Sequence, residues 1–293
     1  MTRARTTVWL GAAALIVALA GVGSAAVQPS ITVHPSRPRP GDVAWLHVGG
    51  VSAAAAIEGT AVGQPLRFFP HSGGQSALLG LDLETKPGAH DWQVAVREEG
   101  REPRTRSGRL TVAAREFPVQ RLTLPPGMVD LDPETERRAT AETERLRTVY
   151  RTVTPERLWR GPFAKPVAIN ESGTGFGARR IINGKPRAPH AAIDFAAPEG
   201  TPVLSANTGR VALVGDFFFP GRLVIIDHGL GLYTLYFHLS TIGVGEGDRV
   251  ERGQPVGTVG ATGRATGPHL HFGAQLGPAR LDPDVLLALD LRD

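Results

Sequence analysis

Alternation of apolar and polar residues runs through most of the first half of the chain. Between residues 30 and 115, short strand-like runs with largely alternating apolar side chains lie at 31–33, 43–48, 66–69, 77–81, 92–96 and 109–112. Turn sequences, for example Pro40-Gly41-Asp42 and Lys86-Pro87-Gly88, separate the runs. Period-two patterns at even spacing are typical of antiparallel strands. We therefore predict an immunoglobulin-like β-sandwich over residues 30–115, acting as a spacer or docking domain.

The pattern becomes helical between residues 116 and 162. Asp132 can accept hydrogen bonds from the first turn of a helix, and Pro133 suits that turn because its missing amide hydrogen is not needed there. The sequence from there to about Arg151 is highly charged and has few apolar residues. We expect a helical linker over 116–162 with an exposed connecting helix and a second short helix beginning at Thr154.

Strand patterns return between residues 163 and 289. Apolar runs occupy 203–205, 209–214, 223–227, 233–238 and 257–260, and glycine is dense between them. Such glycines mark tight connections within an antiparallel sheet rather than helical crossovers. The whole chain is thus predicted to be all-β apart from the linker. Three consecutive aromatics, Phe217 to Phe219, cannot all face one core, so at least one is expected at the surface.

The amino end has the pattern of a signal peptide over residues 1–26. Arg3 and Arg5 precede an apolar run at 8–22, and small residues at 24–26 suit cleavage after Ala26. An uncleaved membrane anchor is the alternative. The segment predicts an exported protein, periplasmic or extracellular. The chain has no cysteine, which excludes a disulfide framework.

Net charge changes this interpretation little. The formal net charge is +4, and the densest basic stretch lies between Arg97 and Arg109. That stretch is expected to be a solvated hairpin edge, with attraction to anionic wall polymers or a membrane surface as the alternative. Export argues against a nucleic-acid partner, and we expect a monomer.

Two short patterns carry the candidate chemistry. His190 and Asp194 are four residues apart, and His269 and His271 flank Leu270, so the members of each pair are expected to share a face. Two imidazoles and a carboxylate form a ligand set that zinc favours, with one position left for water. The remaining histidines except His238 lack partners at ligand spacing and are expected to be structural: His34, His47, His71, His90 and, as a turn residue, His228.

Several sequence blocks around these residues resemble the LytM/lysostaphin type of zinc metalloendopeptidase, which cleaves peptide bonds in bacterial peptidoglycan. The blocks occur in the same order as in that family and cover about a hundred residues closely. They are FGARR at 176–180, PHAAIDFAAP at 189–198, GTPV at 200–203, HG at 228–229, YFHLS at 236–240 and TGRATGPHLHF at 262–272.

The resemblance implies a zinc metallopeptidase domain over 163–289 with a compact β fold of the barrel-sandwich-hybrid kind. It makes His190, Asp194 and His271 the ligands of a Zn²⁺ cofactor. His238 and His269 become the catalytic imidazoles. Peptidoglycan peptides are the implied partner, which implies that the exported protein is associated with the cell wall.

The sequence departs from the family at three places. Ala192 stands where the family usually has glycine, and Gly273 stands where an acidic residue is common. A tyrosine that some relatives place just upstream of His190 is also missing, and Arg180 and Asn183 are candidates to replace it.

Three functions remain open from sequence. The favoured one is an exported zinc endopeptidase that cuts stem or cross-link peptides of peptidoglycan. The alternative is a non-enzymatic cell-wall scaffold that activates a wall amidase, which the five intact reactive residues argue against. A phosphoryl carrier is the third, and the signal peptide and Asp194 argue against it.

Overall fold

The computed structural model describes residues 28–169 and 173–290, so the predicted signal segment 1–26 lies outside the described residues. Two four-stranded antiparallel sheets form the amino-terminal part, with strand orders β1-β2-β6-β5 and β4-β3-β7-β8. The bounds are β1 Ser30–His34, β2 Val43–Gly49, β3 Ala56–Ala61, β4 Gln64–Pro65, β5 Phe68–His71, β6 Gly74–Gly80, β7 Gly88–Arg97 and β8 Arg104–Val112.

This strand order is that of an immunoglobulin-like sandwich, in which strands A, B, E and D form one sheet and C, F and G the other; here β4 is the extra strand beside C. The alternating burial of β7 and β8 turns Val94, Val96 and Leu110 inward. Ala44, Leu46 and Val48 of β2 meet them from the facing sheet in one hydrophobic cluster. The predicted fold class is confirmed. β3 and β4 are additional to the predicted strands.

The connecting segment is more varied than the predicted helical linker. It contains strand β9 (Val119–Leu122), a 3₁₀ turn (Pro126–Met128) and helix α1 (Pro133–Arg151). The helix begins as predicted, because the Asp132 carboxylate accepts hydrogen bonds from the amides of Glu134 and Thr135. Ala139 is the one buried residue among the described positions of α1, so the helix is largely exposed.

The predicted second helix at Thr154 is wrong. The Thr154 hydroxyl donates to the Asp227 carboxylate, and the Thr154 carbonyl accepts a hydrogen bond from Leu230 at 2.7 Å. Both groups that would begin a helix are therefore used to attach this segment to the carboxy-terminal sheet.

The carboxy-terminal part is built on a nine-stranded antiparallel sheet with the main order β12-β19-β16-β15-β14-β17. No closed barrel forms within residues 28–169 and 173–290. Strand β10 lies in a separate small sheet between β11 and β9, and its pairing with β9 is parallel. The bounds are β10 Arg179–Ile182, β11 Lys185–Pro186, β12 Ala192–Phe195, β13 Pro202–Leu204, β14 Gly209–Phe217, β15 Gly221–Asp227, β16 Leu232–Ile242, β17 Arg249–Val250, β18 Pro255–Val259, β19 Leu270–Leu276, β20 Ala279–Leu281 and α2 Pro283–Leu287.

The sandwich and the large sheet are in direct contact. Arg280 of β20 forms two hydrogen bonds of 2.9 and 2.7 Å with the Asp82 carboxylate, and its backbone amide donates a third. The rings of Phe69 and Trp159 pack edge to face at 5.6 Å. The domain boundaries proposed from sequence stay a prediction. Among the described helices, none is both long and apolar enough to cross a bilayer.

Candidate metal centre and cleft

Three side chains meet at one point on the large sheet. His190 Nε2 lies 3.0 Å from His271 Nδ1 and 3.2 Å from Asp194 Oδ1, and His271 Nδ1 lies 3.0 Å from the same carboxylate oxygen. In a tetrahedral zinc site with bonds of about 2.0–2.1 Å, ligand atoms are about 3.3 Å apart. The triangle is close to that size, so the three residues fit a metal ion.

The local folding explains why they meet. Asp194 and His271 are direct partners in the antiparallel pair β12–β19, so both side chains leave the same face of the sheet. His190 is held just before β12 by hydrogen bonds of its backbone to Gly177 and Ala178. Leu270, between His269 and His271, is fully buried on the opposite face, as predicted.

A backbone carbonyl orients His190. Its Nδ1 lies 3.1 Å from the Gly175 carbonyl, so this nitrogen donates and Nε2 is left as an acceptor towards the triangle. Gly175 has φ +96°, and a Cβ there would lie 2.8 Å from His190 Nδ1. Glycine is therefore required at this position both by its conformation and by the nearby ring.

The proton count also favours a cation. With Nδ1 of His190 donating to Gly175, the triangle consists of His190 Nε2, His271 Nδ1 and the Asp194 oxygen. Neutral imidazoles can supply at most one proton, on His271 Nδ1, to these three close contacts. A divalent ion would satisfy all three atoms at once.

His238 and His269 lie beside the triangle, and each directs its Nδ1 at a backbone carbonyl. His238 Nδ1 is 2.8 Å from the Thr262 carbonyl, and His269 Nδ1 is 2.8 Å from the Gly267 carbonyl. Each ring therefore donates through Nδ1 and keeps Nε2 as an acceptor. His269 Nε2 is 3.9 Å from Asp194 Oδ1, near the triangle but outside it.

A β-bulge brings His238 to this position. Between β15 and β16, Phe237 and His238 face the single residue Leu223, and His238 has φ +63°. A non-glycine residue in this conformation costs about 1–3 kcal/mol, and bulges commonly redirect a side chain near a site. The bulge turns His238 towards His269, at 4.8 Å between ring centroids.

Burial and hydrogen bonding set the charges of the centre. Burial raises the pKa of Asp194, but the close His190 and His271 imidazoles outweigh it and hold the pKa far below its usual range. Burial lowers the pKa of His271 to about 4, against the opposing effect of Asp194. Burial and the neighbouring imidazoles His271 and His269 lower the pKa of His238 to about 3. The carboxylate is thus ionised and these two imidazoles are neutral near pH 7, the states that metal ligation and proton acceptance require.

The centre opens into a cleft of about 290 Å³. Its walls include Gln120 of β9, Leu146 of α1 and Phe219, so the connecting segment forms part of the site. Phe217 is buried in the core, whereas Phe219 lines the cleft, in agreement with the expectation that the three aromatics divide between core and surface. Sequence reasoning missed Gln120 and Leu146, because nothing in the local sequence indicates that the linker returns to this sheet.

The family departures have distinct outcomes. Ala192 lies fully buried in β12 with a negative φ, so its methyl group is tolerated. Arg180 reaches the centre, with Nη2 4.0 Å from Asp194 Oδ2. Asn183 does not line the cleft, since its side chain bonds both backbone groups of Leu124.

His228 follows β15 at a turn, as predicted, and is completely buried. Its ring contacts the Thr208 carbonyl at 2.9 Å and the Thr234 hydroxyl at 2.7 Å. Burial lowers its pKa to about 4. It is a packed histidine of the core and lies outside the metal centre.

The chain is similar to known proteins in both sequence and fold. The family model of peptidase family M23 matches residues 188–283, which contain all five predicted site residues. A crystal structure of a Pseudomonas aeruginosa chain assigned to peptidase M23 superposes with a TM-score of 0.66 at 32% identity, covering 86% of this chain and 95% of that one. The chain belongs to peptidase family M23.

Curated relatives match over about a third of this chain. The peptidoglycan DD-endopeptidase ShyA of Vibrio cholerae is 48% identical over 85 residues, which is 29% of this chain and 20% of that protein. The DD-carboxypeptidase/endopeptidase Mpg of Neisseria meningitidis is 44% identical over 94 residues, which is 32% of this chain and 22% of that protein. The chain thus spans about a fifth of the length of these relatives. The family predicted from the sequence blocks is confirmed.

Proposed function

We propose that the protein is an exported zinc endopeptidase that hydrolyses peptide bonds in the cross-links or stem peptides of bacterial peptidoglycan. The observation that carries the proposal is the triangle of His190, Asp194 and His271, with two further imidazoles beside it at the floor of a cleft. Membership of family M23 and the names of the matched relatives support the substrate class. The signal-peptide pattern supports export.

In this proposal His190 Nε2, Asp194 Oδ1 and His271 Nδ1 hold the zinc ion. Zinc held there would supply Lewis-acid polarisation of the scissile carbonyl and would lower the pKa of water towards about 7. Because His238 and His269 each fix Nδ1 on a backbone carbonyl, their Nε2 atoms remain available at the cleft. One imidazole accepts the proton of the attacking water and returns a proton to the leaving amine, which is general base and acid catalysis.

Arg180 is the best-placed replacement for the absent tyrosine. Its guanidinium lies at the rim of the triangle and has a fixed positive charge. A cation at this point would stabilise the negative oxygen that develops when the peptide carbonyl is attacked. We assign this role to Arg180 because both polar groups of the Asn183 side chain are hydrogen-bonded to Leu124.

Digestion of purified cell-wall sacculi tests the function. The full chain loaded with zinc should release fragments whose new amine ends, identified by mass spectrometry, come from peptide bonds. Release of sugar-only ends, or no release while the protein is folded and zinc-loaded, would contradict the proposal. A scaffold that activates an amidase would instead release fragments only when the amidase is added.

A further inference from the structure

The cleft at the metal centre continues into a second depression of about 850 Å³ between α1, β10 and the segment after β9. The two parts share the side chains of Arg180, Ile182, Phe219 and Arg264. Together they form one groove, which we call the arginine groove. It leads from the predicted catalytic imidazoles towards Arg187.

Three of the four guanidinium groups that line this groove have no carboxylate closer than 4.0 Å among the described residues. Arg180 has its nearest carboxylate at 4.0 Å, on Asp194, and Arg187 has its nearest at 4.0 Å, on Asp130. Arg264 has no carboxylate partner among the described residues. A metal ion at the centre would compete with Arg180 for the negative charge of Asp194, which would leave the guanidinium less compensated.

Two of the three acidic residues in the outer part of the groove pair with other basic residues that line it. Asp130 accepts a hydrogen bond from Lys185 at 2.8 Å, and Glu144 pairs with Arg147 on α1. Glu136, near the start of α1, is the other acidic residue of the outer part. The groove therefore keeps an excess of positive charge, which favours an anionic ligand.

Arg264 is held rigidly at the point where the two parts of the groove meet. Its backbone amide donates to the Phe219 carbonyl at 2.9 Å, and its guanidinium stacks on the Phe219 ring at 4.3 Å. Gly221 and Gly263 let the two loops approach, because a Cβ at Gly263 would lie 2.2 Å from the Gly221 amide nitrogen. Burial and the charges of Arg180 and Arg187 lower the pKa of Arg264, as expected for converging like charges.

We propose that Arg264, together with Arg180 and Arg187, binds a free carboxylate of the substrate peptide beside the bond that is cut. A planar guanidinium can make two parallel hydrogen bonds to a carboxylate, and stacking on Phe219 fixes its plane. This inference rests on the proposed function and extends it. It makes the enzyme selective for peptides that carry an unmodified carboxylate near the scissile bond.

The test compares two cross-linked peptides that differ only in whether their side carboxylates are free or amidated. Binding to the full chain after zinc removal by chelation is measured by calorimetry, so the result does not depend on catalysis. Arg264→Gln removes the charge, Arg264→Lys keeps it, and Arg187→Gln tests a second member. Arg249→Gln is the control, since Arg249 is exposed, contacts Glu251 and does not line the groove.

The unaltered chain should bind the free-carboxylate peptide at least about tenfold more tightly than the amidated one, as a charge-assisted pair predicts. Arg264→Gln should lose that preference while binding the amidated peptide as before, Arg264→Lys should keep part of it, and Arg249→Gln should keep all of it. An unchanged preference in both Arg264→Gln and Arg187→Gln would overturn the proposal. Equal weakening for both peptides would also overturn it, because it would mean that Arg264 only supports the loop.

Activity separates this inference from the proposed function. With zinc restored, kcat/KM for the two peptides should show the same preference and the same loss in Arg264→Gln. If the zinc-loaded chain cuts neither peptide although the chelated chain binds the carboxylate form preferentially, the proposed function fails while the carboxylate site stands. If it cuts both peptides equally, the proposed function stands and the carboxylate site fails.

Discussion

Histidines cluster in two regions of this protein with different consequences. In the sandwich, His47 and His71 both direct Nδ1 at the Ser76 hydroxyl, at 3.0 and 2.9 Å, with their rings nearly perpendicular and 6.0 Å apart. On the large sheet, His190 and His271 meet at the Asp194 carboxylate, with ring centroids 4.8 Å apart. Of the described residues, only the second group brings three potential ligand atoms within metal-binding distance.

The two clusters differ in the group that lies between their imidazoles, a serine hydroxyl in one and a carboxylate in the other. A hydroxyl joins two imidazoles through ordinary hydrogen bonds, and the rings stay packed around Trp45. An ionised carboxylate instead draws both nitrogens to one oxygen, and the Gly175 carbonyl fixes the tautomer of His190. Histidine density is thus a poor indicator of a metal site, whereas a shared carboxylate with oriented rings is a good one.

The largest expected effect comes from removing one imidazole from each cluster. His271→Ala should lower zinc affinity by more than about 100-fold, because even residues that only orient ligands cost about 10–100-fold. It should also abolish hydrolysis of sacculi. His71→Ala should still bind one zinc ion per chain, although the sandwich loses stability. The metal content of each variant after dialysis measures both effects. Zinc loss in His71→Ala but not in His271→Ala would contradict the proposed difference between the two clusters.

His269→Ala separates proton transfer from metal binding within the second cluster. The variant should retain zinc but lose about 10²–10⁴-fold in kcat, the usual contribution of a general base or acid. His90→Ala is the control, since His90 is half-buried in the sandwich, lies outside the metal centre, and directs its ring at the Lys86 carbonyl. Single-turnover hydrolysis of a defined cross-linked peptide gives the rate. A wild-type rate in His269→Ala would contradict its assignment as a catalytic imidazole.

Alanine substitutions at two glycines test whether the orientation of the His190 ring matters for zinc binding. Gly175→Ala should lower zinc affinity about 10–100-fold, since the new methyl group displaces His190 from the Gly175 carbonyl. Gly184→Ala is matched to it, because Gly184 also has a positive φ, of +79°, but has no atom within 4 Å of the added Cβ. Both should lose about 1 kcal/mol of stability. Equal zinc affinity in the two variants would show that the contact with His190 is unimportant.

The smallest expected effect concerns the contact between the sandwich and the large sheet. Burial raises the pKa of Asp82, but hydrogen bonds from Arg280 outweigh it and hold the pKa below its ordinary value. A carboxyl of this kind stabilises the fold above its unfolded pKa, and the stabilisation is lost as the pH falls through the folded value. Arg280→Gln should therefore cost about 1 kcal/mol at pH 7 and less below about pH 4.

Urea unfolding at the two pH values measures this difference. Arg109→Gln is the matched control, because Arg109 and Asp91 form a pair whose side chains are 76% and 86% exposed and should contribute almost nothing. A pH-independent cost for Arg280→Gln would mean that packing, rather than the charge of Asp82, holds the contact.

Local sequence predicted much of this molecule because its signals are short-range. Strand periodicity, the Asp132 cap and the positions of His269 and His271 on either side of a buried Leu270 depend on neighbouring residues, and all appear in the structure. The site residues themselves were indicated by motif resemblance, and their metal-binding and catalytic roles remain predictions.

Other features depend on contacts between distant parts of the chain. The parallel pairing of β9 with β10 joins segments about sixty residues apart, so no local pattern indicates that the linker borders the cleft. The bulge at His238 depends on the register between β15 and β16. The convergence of Arg180, Arg187 and Arg264 likewise results from tertiary packing, although Arg180 and Arg264 lie within the sequence blocks that resemble the family.

The central claim is most directly tested by anomalous X-ray diffraction at the zinc edge from crystals of the full chain grown with zinc. We predict one strong peak about 2.0–2.2 Å from His190 Nε2, Asp194 Oδ1 and His271 Nδ1. A peak bound to His238 and His269 instead, or no peak at this centre, would contradict the account.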